Sequence, residues 1–448
     1  MKMMKASYAA SVCGGKLIGE DVSFCGVSRD NREVKGGEMF VAIRGENFDG
    51  HSFAAKAVEN GAVALLVSEK IEGTSAAQIV VRDTVIALGE IAKSYLQTLP
   101  AKRVCITGSV GKTTTKEMCA AVLAESFATH KTQGNFNNNI GLPLTVFGMD
   151  ETYEAAVLEI GTNHFGEILP LAKIANPDAA VITAIGESHL EAFGSKEGVL
   201  REKIEILKGL KEDGTAILNG DDPLLWGMRD KITHKTVWFG IENQECDVLV
   251  NVLENGAYEA RFEVKGSDVI FTLPCGGIHN IRDAASAIAV GRVFGMEDSA
   301  IARGLSKFRN TGMRQDVIEI GGCTLIRDCY NANPDSMRAS ISLLRDLKCK
   351  GKKLCIMGDM LELGENAGEL HRQVGAYAAE CADIVMVTGK FAESYREGAG
   401  EKVCVFPDKQ ELAKALSEQM SEGDAILVKG SYGTKMWQVI ESLQEERE

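Results

Sequence analysis

Two glycines followed by a lysine and a threonine raise the first chemical question in this sequence. From Thr107 to Thr114 the chain reads TGSVGKTT. Gly108 and Gly111, with Ser109 and Val110 between them, let the backbone turn tightly and bring its N–H groups close to an anion. Lys112 adds a point positive charge, and Thr113, next to Thr114, adds a hydroxyl able to ligate Mg²⁺. The apolar run Val104, Cys105, Ile106 reads as the end of a buried strand. Helical apolar spacing from Thr113 to about Glu125 places the loop at a helix N-terminus, where the dipole favours phosphate. This is a P-loop in logic, though a full G-x-x-x-x-G-K-T would need glycine where Ile106 stands. The plainer reading is a glycine-rich turn before an ordinary helix. Strand, glycines, lysine, threonine and helix in that order favour nucleotide binding.

Such a loop needs a sheet to carry it. Between residues 99 and 312 the strands AAVLEI, AAVIT, TAILN and VWFG alternate with helices, the pattern of a parallel sheet with crossover helices. Functional side chains should cluster at the C-terminal ends of its strands. Glu159, His189 with Glu191, and Asn219 with Asp221 and Asp222 stand there. Each alone reads as a cap or loop residue; together they favour a metal role for Glu159 and His189. From Asp247 to Leu273 the pattern becomes alternating, with turns at Asn255-Gly256 and Gly266-Ser267-Asp268, which predicts a small antiparallel insertion. His279 and Asn280 open a helix rich in small residues.

Residues 1–98 read as a small α/β unit. Its loops carry Ser28, Arg29, Asn31 and Arg32, then Arg44, Asn47, Asp49 and His51, which could hold a phosphorylated group or could be solvated turns. Residues 313–448 read as a second doubly wound sheet. Asn333 is placed to cap a helix beginning at Pro334, and Met337, Ile341, Leu344 and Leu347 form its core stripe. No GxGxxG follows the first strand of this unit.

The 448 residues suit three domains of an ordinary globular α/β protein. A net charge of −14 argues against broad nucleic-acid or anionic-membrane binding, so a phosphorylated substrate must be met by local cations. The 12 cysteines form no C-x-x-C pair and suit a reducing compartment. No signal peptide or membrane span is read, and a cytoplasmic location is expected.

Together these motifs resemble the Mur ligase family. Its shortened T-G-x-x-G-K-T matches Thr107–Thr113. GNFNNNIGLPLT after the P-loop, LEIGTN with Glu159, ESHLEAFGS with His189, REKIEI with Lys203 and GGIHN with Asn280 are similar to its further motifs. YNANPDSM, MGDMLELG and LVKGSYG are similar to the branch that joins D-alanyl-D-alanine to UDP-N-acetylmuramoyl-tripeptide. The resemblance implies a UDP-binding first domain, a central ATPase and a Rossmann-like last domain. It implies ATP and Mg²⁺, an acyl-phosphate intermediate, and a monomer without nucleic-acid or membrane partners. Lys112 would hold phosphates; Thr113 and Glu159 would hold one Mg²⁺, and His189 a second. Lys203 would be carbamylated to a metal-bridging carboxylate, against the plainer reading of a salt-bridged surface lysine. Asn280 would lie against adenine, with Arg314 and Asp328 reaching ATP from the last domain. Ser28, Arg44, Asn47 and His51 would serve the UDP end, and Asn138, Asn331 and Asn333 the rest of the substrate.

The chain departs from the family pattern at Arg327, where an acidic residue is usual, at Asp283 for asparagine, at Tyr432 for arginine and at Asn139 for glutamate. The rival readings are a sister ligase adding the third peptide residue, folylpolyglutamate synthetase, or a P-loop regulatory NTPase. NANPDSM does not match the D-N-P-R of diaminopimelate-adding ligases, and no convincing N/T-K-x-D of a GTPase is present.

Overall fold

The structure is a computed structural model and describes residues 1–46 and 48–445. Its centre is a nine-stranded sheet. From one edge the strands are Thr129–Lys131, Ala155–Glu159, Lys102–Thr107, Ala179–Ile182, Thr215–Asn219 and Lys235–Gly240, all parallel. Alternation along each strand feeds two cores. Val104 and Ile106 face the P-loop helix Lys112–Leu123 and the helix Ile278–Val293, while Cys105 faces the other side. The edge strand Thr129–Lys131 is half-buried and short, so no apolar run announces it.

The alternating stretch does form antiparallel strands, Val248–Asn255, Ala260–Val264 and Ile270–Leu273. They do not stand apart. Val248 and Leu249 pair in parallel with Phe239 and Gly240, so the insertion extends the central sheet. Val250, Phe262 and Phe271 bury into the core under the P-loop helix, which accounts for that attachment.

The first unit has a five-stranded sheet, parallel except where Lys16–Ile18 meets Ala77–Val80. Its helix Thr84–Gln97 starts where the Asp83 carboxylate accepts the Val85 and Ile86 N–H groups. Leu88, Ile91 and Tyr95 of this helix share one core with Leu142, Leu171 and the Cys105 face of the central sheet. The Tyr95 hydroxyl donates to the Met149 carbonyl at 2.7 Å.

The last unit is a six-stranded sheet in the order Asp316–Ile320, Cys323–Asp328, Ala425–Lys429, Lys353–Met357, Ile384–Thr388, Val403–Phe406. Only the first pair is antiparallel, a hairpin turned by Gly321 and Gly322. The helix Pro334–Asp346 has a full capping box between Asn333 and Ser336, and Met337, Ile341 and Leu344 are fully buried. Among the described residues no helix is long and apolar enough to cross a membrane.

The helix Asp298–Ser306 holds the P-loop helix from outside. A Cβ on Gly304 would stand 2.5 Å from the Val122 Cα. Gly304→Ala should therefore force the helices apart and cost about 1–3 kcal/mol. A lower denaturant midpoint at unchanged slope is the expected reading.

Candidate functional site

The turn after Lys102–Thr107 is fixed by its neighbours. The Thr183 hydroxyl donates to the Val110 carbonyl at 2.5 Å, and the Gly186 N–H donates to the Ser109 hydroxyl at 2.9 Å. A Cβ on Gly108 would sit 1.9 Å from the Thr183 hydroxyl, and one on Gly111 2.5 Å from an Asp283 carboxyl oxygen. Both glycines are demanded by close packing, and Gly111 also by a φ of 81°. The turn delivers the N-terminus of the P-loop helix to a cavity of about 890 Å³. A cavity of that size is within the range of small-molecule sites.

Glu159 stands beside the P-loop because its strand pairs with the P-loop strand, Glu159 opposite Ile106. Its carboxylate accepts from the Thr113 hydroxyl and from the Asn137 amide, both at 2.9 Å. Lys112 folds back and donates to the Gly108 carbonyl at 2.7 Å. Burial pushes its amine below the usual lysine range, Arg314 nearby adds to this, and Glu159 opposes it.

Lys203 ends the helix Lys196–Lys203 and is 1% exposed. The surface salt bridge is thus ruled out. The adjacent Glu202 is occupied, accepting the Gly166 and Ile168 N–H groups. Burial and the neighbouring Lys112 charge hold the Lys203 amine well below the usual lysine range. It does not line the cavity surface.

The opposite wall comes from the last unit. Asp328 accepts from Lys429 and from Ser340, each at 2.6 Å, and Lys429 also donates to the Asn331 carbonyl. The Arg314 guanidinium lies 4.0 Å from the centre of the Tyr330 ring. Asn280 donates to Gln315 at 2.7 Å, linking the central helix to the residue just before the strand that opens the last sheet. The P-loop, Asn138, Glu159, His189, Asn280, Arg314, Asp328, Asn331 and Asn333 all line one cleft.

Other expected residues lie elsewhere. Ser28, Arg44 and His51 do not line this cleft. Arg44 is paired with Asp49 and Glu69. His51 approaches Asp49 with Nδ1 and accepts the Ser68 N–H with Nε2, so both nitrogens are used in holding the loop. Asn47 lies outside the described residues. Asp221 and Asp222 are structural: Asp221 accepts three backbone N–H groups from Ile241–Asn243, and Asp222 caps a short helix. Sequence reasoning missed Asn137, Lys429, Gln315 and Glu362. Lys429 ends a buried strand, the same signal that pointed to Glu159.

The geometry defines a P-loop nucleotide-binding α/β protein whose cleft is closed by a second α/β unit. Comparison with known proteins narrows this. Residues 106–291 match the Mur ligase middle domain, 313–432 the Mur ligase glutamate ligase domain and 23–96 the Mur ligase family catalytic domain. The chain is 43% identical over 429 residues to the UDP-N-acetylmuramoyl-tripeptide–D-alanyl-D-alanine ligase of Bacillus subtilis, covering 94% of this chain and 93% of that one. MurF from Acinetobacter baumannii superimposes with a TM-score of 0.93 at 31% identity, covering 99% of both chains. MurF from Thermotoga maritima in complex with ADP gives 0.85 at 31% identity, over 94% and 97%. The chain belongs to the Mur ligase family.

Asp283, against Gly111, is deeply buried, and burial pushes its carboxyl up to about 8. The folded state thus binds this proton more tightly than the unfolded chain, so the group costs stability as pH rises from about 4 to about 8. Asp283→Asn removes that slope. The stability difference between variant and parent, measured in denaturant, should move in the variant's favour across this window, by on the order of a few kcal/mol.

Proposed function

We propose that this protein is an ATP-dependent, amide-forming ligase that joins D-alanyl-D-alanine to UDP-N-acetylmuramoyl-tripeptide in peptidoglycan precursor synthesis. The observation that carries this is the single cleft lined by the P-loop on one side and by Arg314, Asp328, Asn331 and Asn333 on the other, in a chain that matches ligases of this name over nearly its whole length.

The chemistry follows from charge. The γ-phosphoryl group of ATP moves to the tripeptide carboxylate and ADP departs. The dipeptide amine then attacks the acyl phosphate, and phosphate leaves through a tetrahedral intermediate. Lys112, released from the Gly108 carbonyl, and the P-loop N–H groups hold the phosphate oxygens, and Arg314 adds charge from the last unit. Asn280 lies on the adenine side. Seating the last unit excludes water that would hydrolyse the acyl phosphate.

Mg²⁺ suits the residues present. Thr113 and Glu159 offer hard oxygen donors 2.9 Å apart beside the phosphate loop. The ion would neutralise developing phosphate charge. His189 would ligate a second Mg²⁺ in this reading. Lys203, buried beside Lys112 with a depressed amine, is poised to take up CO₂ and supply a carbamate oxygen. The boundaries near 98 and 312, a UDP-binding role for the first unit, a monomeric state and a cytoplasmic location complete the proposal.

Mass spectrometry of products from each UDP-tripeptide with ATP and D-alanyl-D-alanine should show the pentapeptide mass. Product with free amino acids only would overturn the assignment. Lys112→Ala should lower turnover about 10²–10³-fold. Lys203→Ala should be nearly inactive with its fold intact, and short carboxylic acids in the buffer should restore part of the rate. Full activity of that variant in CO₂-depleted buffer would rule out the carbamate.

A further inference from the structure

The segment Gly186–Glu191 carries His189 into the cleft, and the last unit grips it at both ends. At one end an Asp335 carboxyl oxygen accepts the Glu187 N–H at 2.7 Å and occupies the space a side chain on Gly186 would need, 2.2 Å from its Cβ. At the other end Glu362 Oε2 lies 2.6 Å from His189 Nδ1. Close by, a Cβ on Gly364 would stand 3.2 Å from the Glu191 Cα, so the two backbones nearly touch.

Both members of the pair have left-handed backbones, φ 51° for His189 and 63° for Glu362. A non-glycine residue holds that conformation only where its surroundings fix it. Here two loops from different units adopt it where their side chains meet. Leu190, next to His189, packs on the core of the last unit, and the Phe193 ring stands edge-on to the imidazole with centroids 6.3 Å apart. No described residue hydrogen-bonds His189 Nε2.

We infer that Glu362 is a positioning residue for His189: a carboxylate from the last unit fixes the imidazole ring and keeps its proton on Nδ1, so that Nε2 presents a lone pair to the reaction. The inference rests on the proposed role of His189 as a Mg²⁺ ligand. A carboxylate behind a ligating histidine sets the ring's orientation and raises its basicity. In this protein that carboxylate crosses a domain seam. His189 is therefore in register only when the last unit is seated, and domain closure and ion binding become one event.

The test compares the parent with Glu362→Ala, Glu362→Gln and His189→Ala. Mn²⁺ binding is followed by electron paramagnetic resonance with a non-hydrolysable ATP analogue present, and the His189 tautomer by ¹⁵N NMR. Glu362→Ala should lose the fixed Nδ1–H form and bind Mn²⁺ roughly 10–100-fold more weakly. Glu362→Gln, which keeps an acceptor oxygen and the side chain's bulk, should fall between, and it decides the matter if the alanine variant does not fold. Parent-like tautomer and affinity in both Glu362 variants, with weakened binding in His189→Ala, would overturn the positioning role and leave the metal assignment standing. Unchanged binding in His189→Ala would remove the metal assignment instead. The tautomer spectrum of the Glu362 variants then decides positioning by itself.

Discussion

Lys112, half-buried on the cleft wall, and Lys203, fully buried away from the cavity surface, set the terms for what surrounds them. Burial first and the Lys112 charge second lower the tendency of Lys203 to hold a proton, and Lys203 has no ion-pair partner among the described residues. Buried cations without partners are costly. In the proposed reaction Lys112, with Arg314, would receive the phosphates of a nucleotide, whereas Lys203 would act as a neutral amine. An acidic chain of net charge −14 needs such a local concentration of cations to bind an anion at all. The P-loop glycines, the Thr183 and Ser109 hydrogen bonds and the Glu159 carboxylate hold that concentration in place.

The contrast with the other buried lysines makes the point. Lys429 is as deeply buried but carries its counter-ion, Asp328, at 2.6 Å. Lys116 is paired with Glu117 at 2.9 Å. Those pairs are settled structure. Lys203 lacks one among the described residues, which the proposed carbamate role would explain.

How much of this was legible in the sequence depended on distance along the chain. The P-loop could be read because strand, turn and helix are contiguous, and Glu159 because buried parallel strands deliver their last residues to one edge. Asn333 was legible as a cap because capping is local. The partners were not legible. Asp328 meets Lys429 only when two strands far apart in sequence pair within the last sheet, and His189 meets Glu362 only after two separate units have docked. Strand ends also mislead: Asp221 and Asp222 sit where catalytic carboxylates sit, yet they are consumed by backbone N–H groups. The alternating stretch after Asp247 was read correctly as antiparallel, but a pattern within strands says nothing about which sheet they join. Val248 pairing with Phe239 settles that. The resemblance to a family gave Ser28, Arg44 and His51 a substrate role; in the fold they stand apart from the cleft, with Arg44 on Asp49 and Glu69 and His51 on Asp49 and Ser68.

The shared core beneath Thr84–Gln97 has a consequence for how such a chain can be taken apart. Leu88, Ile91 and Tyr95 fill the face of the central sheet that Cys105 occupies, so the first two units are one body in terms of burial. The last sheet closes its own two faces, borrowing little more than Ala257 and Leu190 from its neighbour. A cut near 98 would strip a hydrophobic face bare, whereas a cut near 312 would leave two sealed pieces. Modular exchange, by recombination in nature or by chimera building in the laboratory, therefore has one permissive joint in this molecule, and it lies beside the reactive cleft.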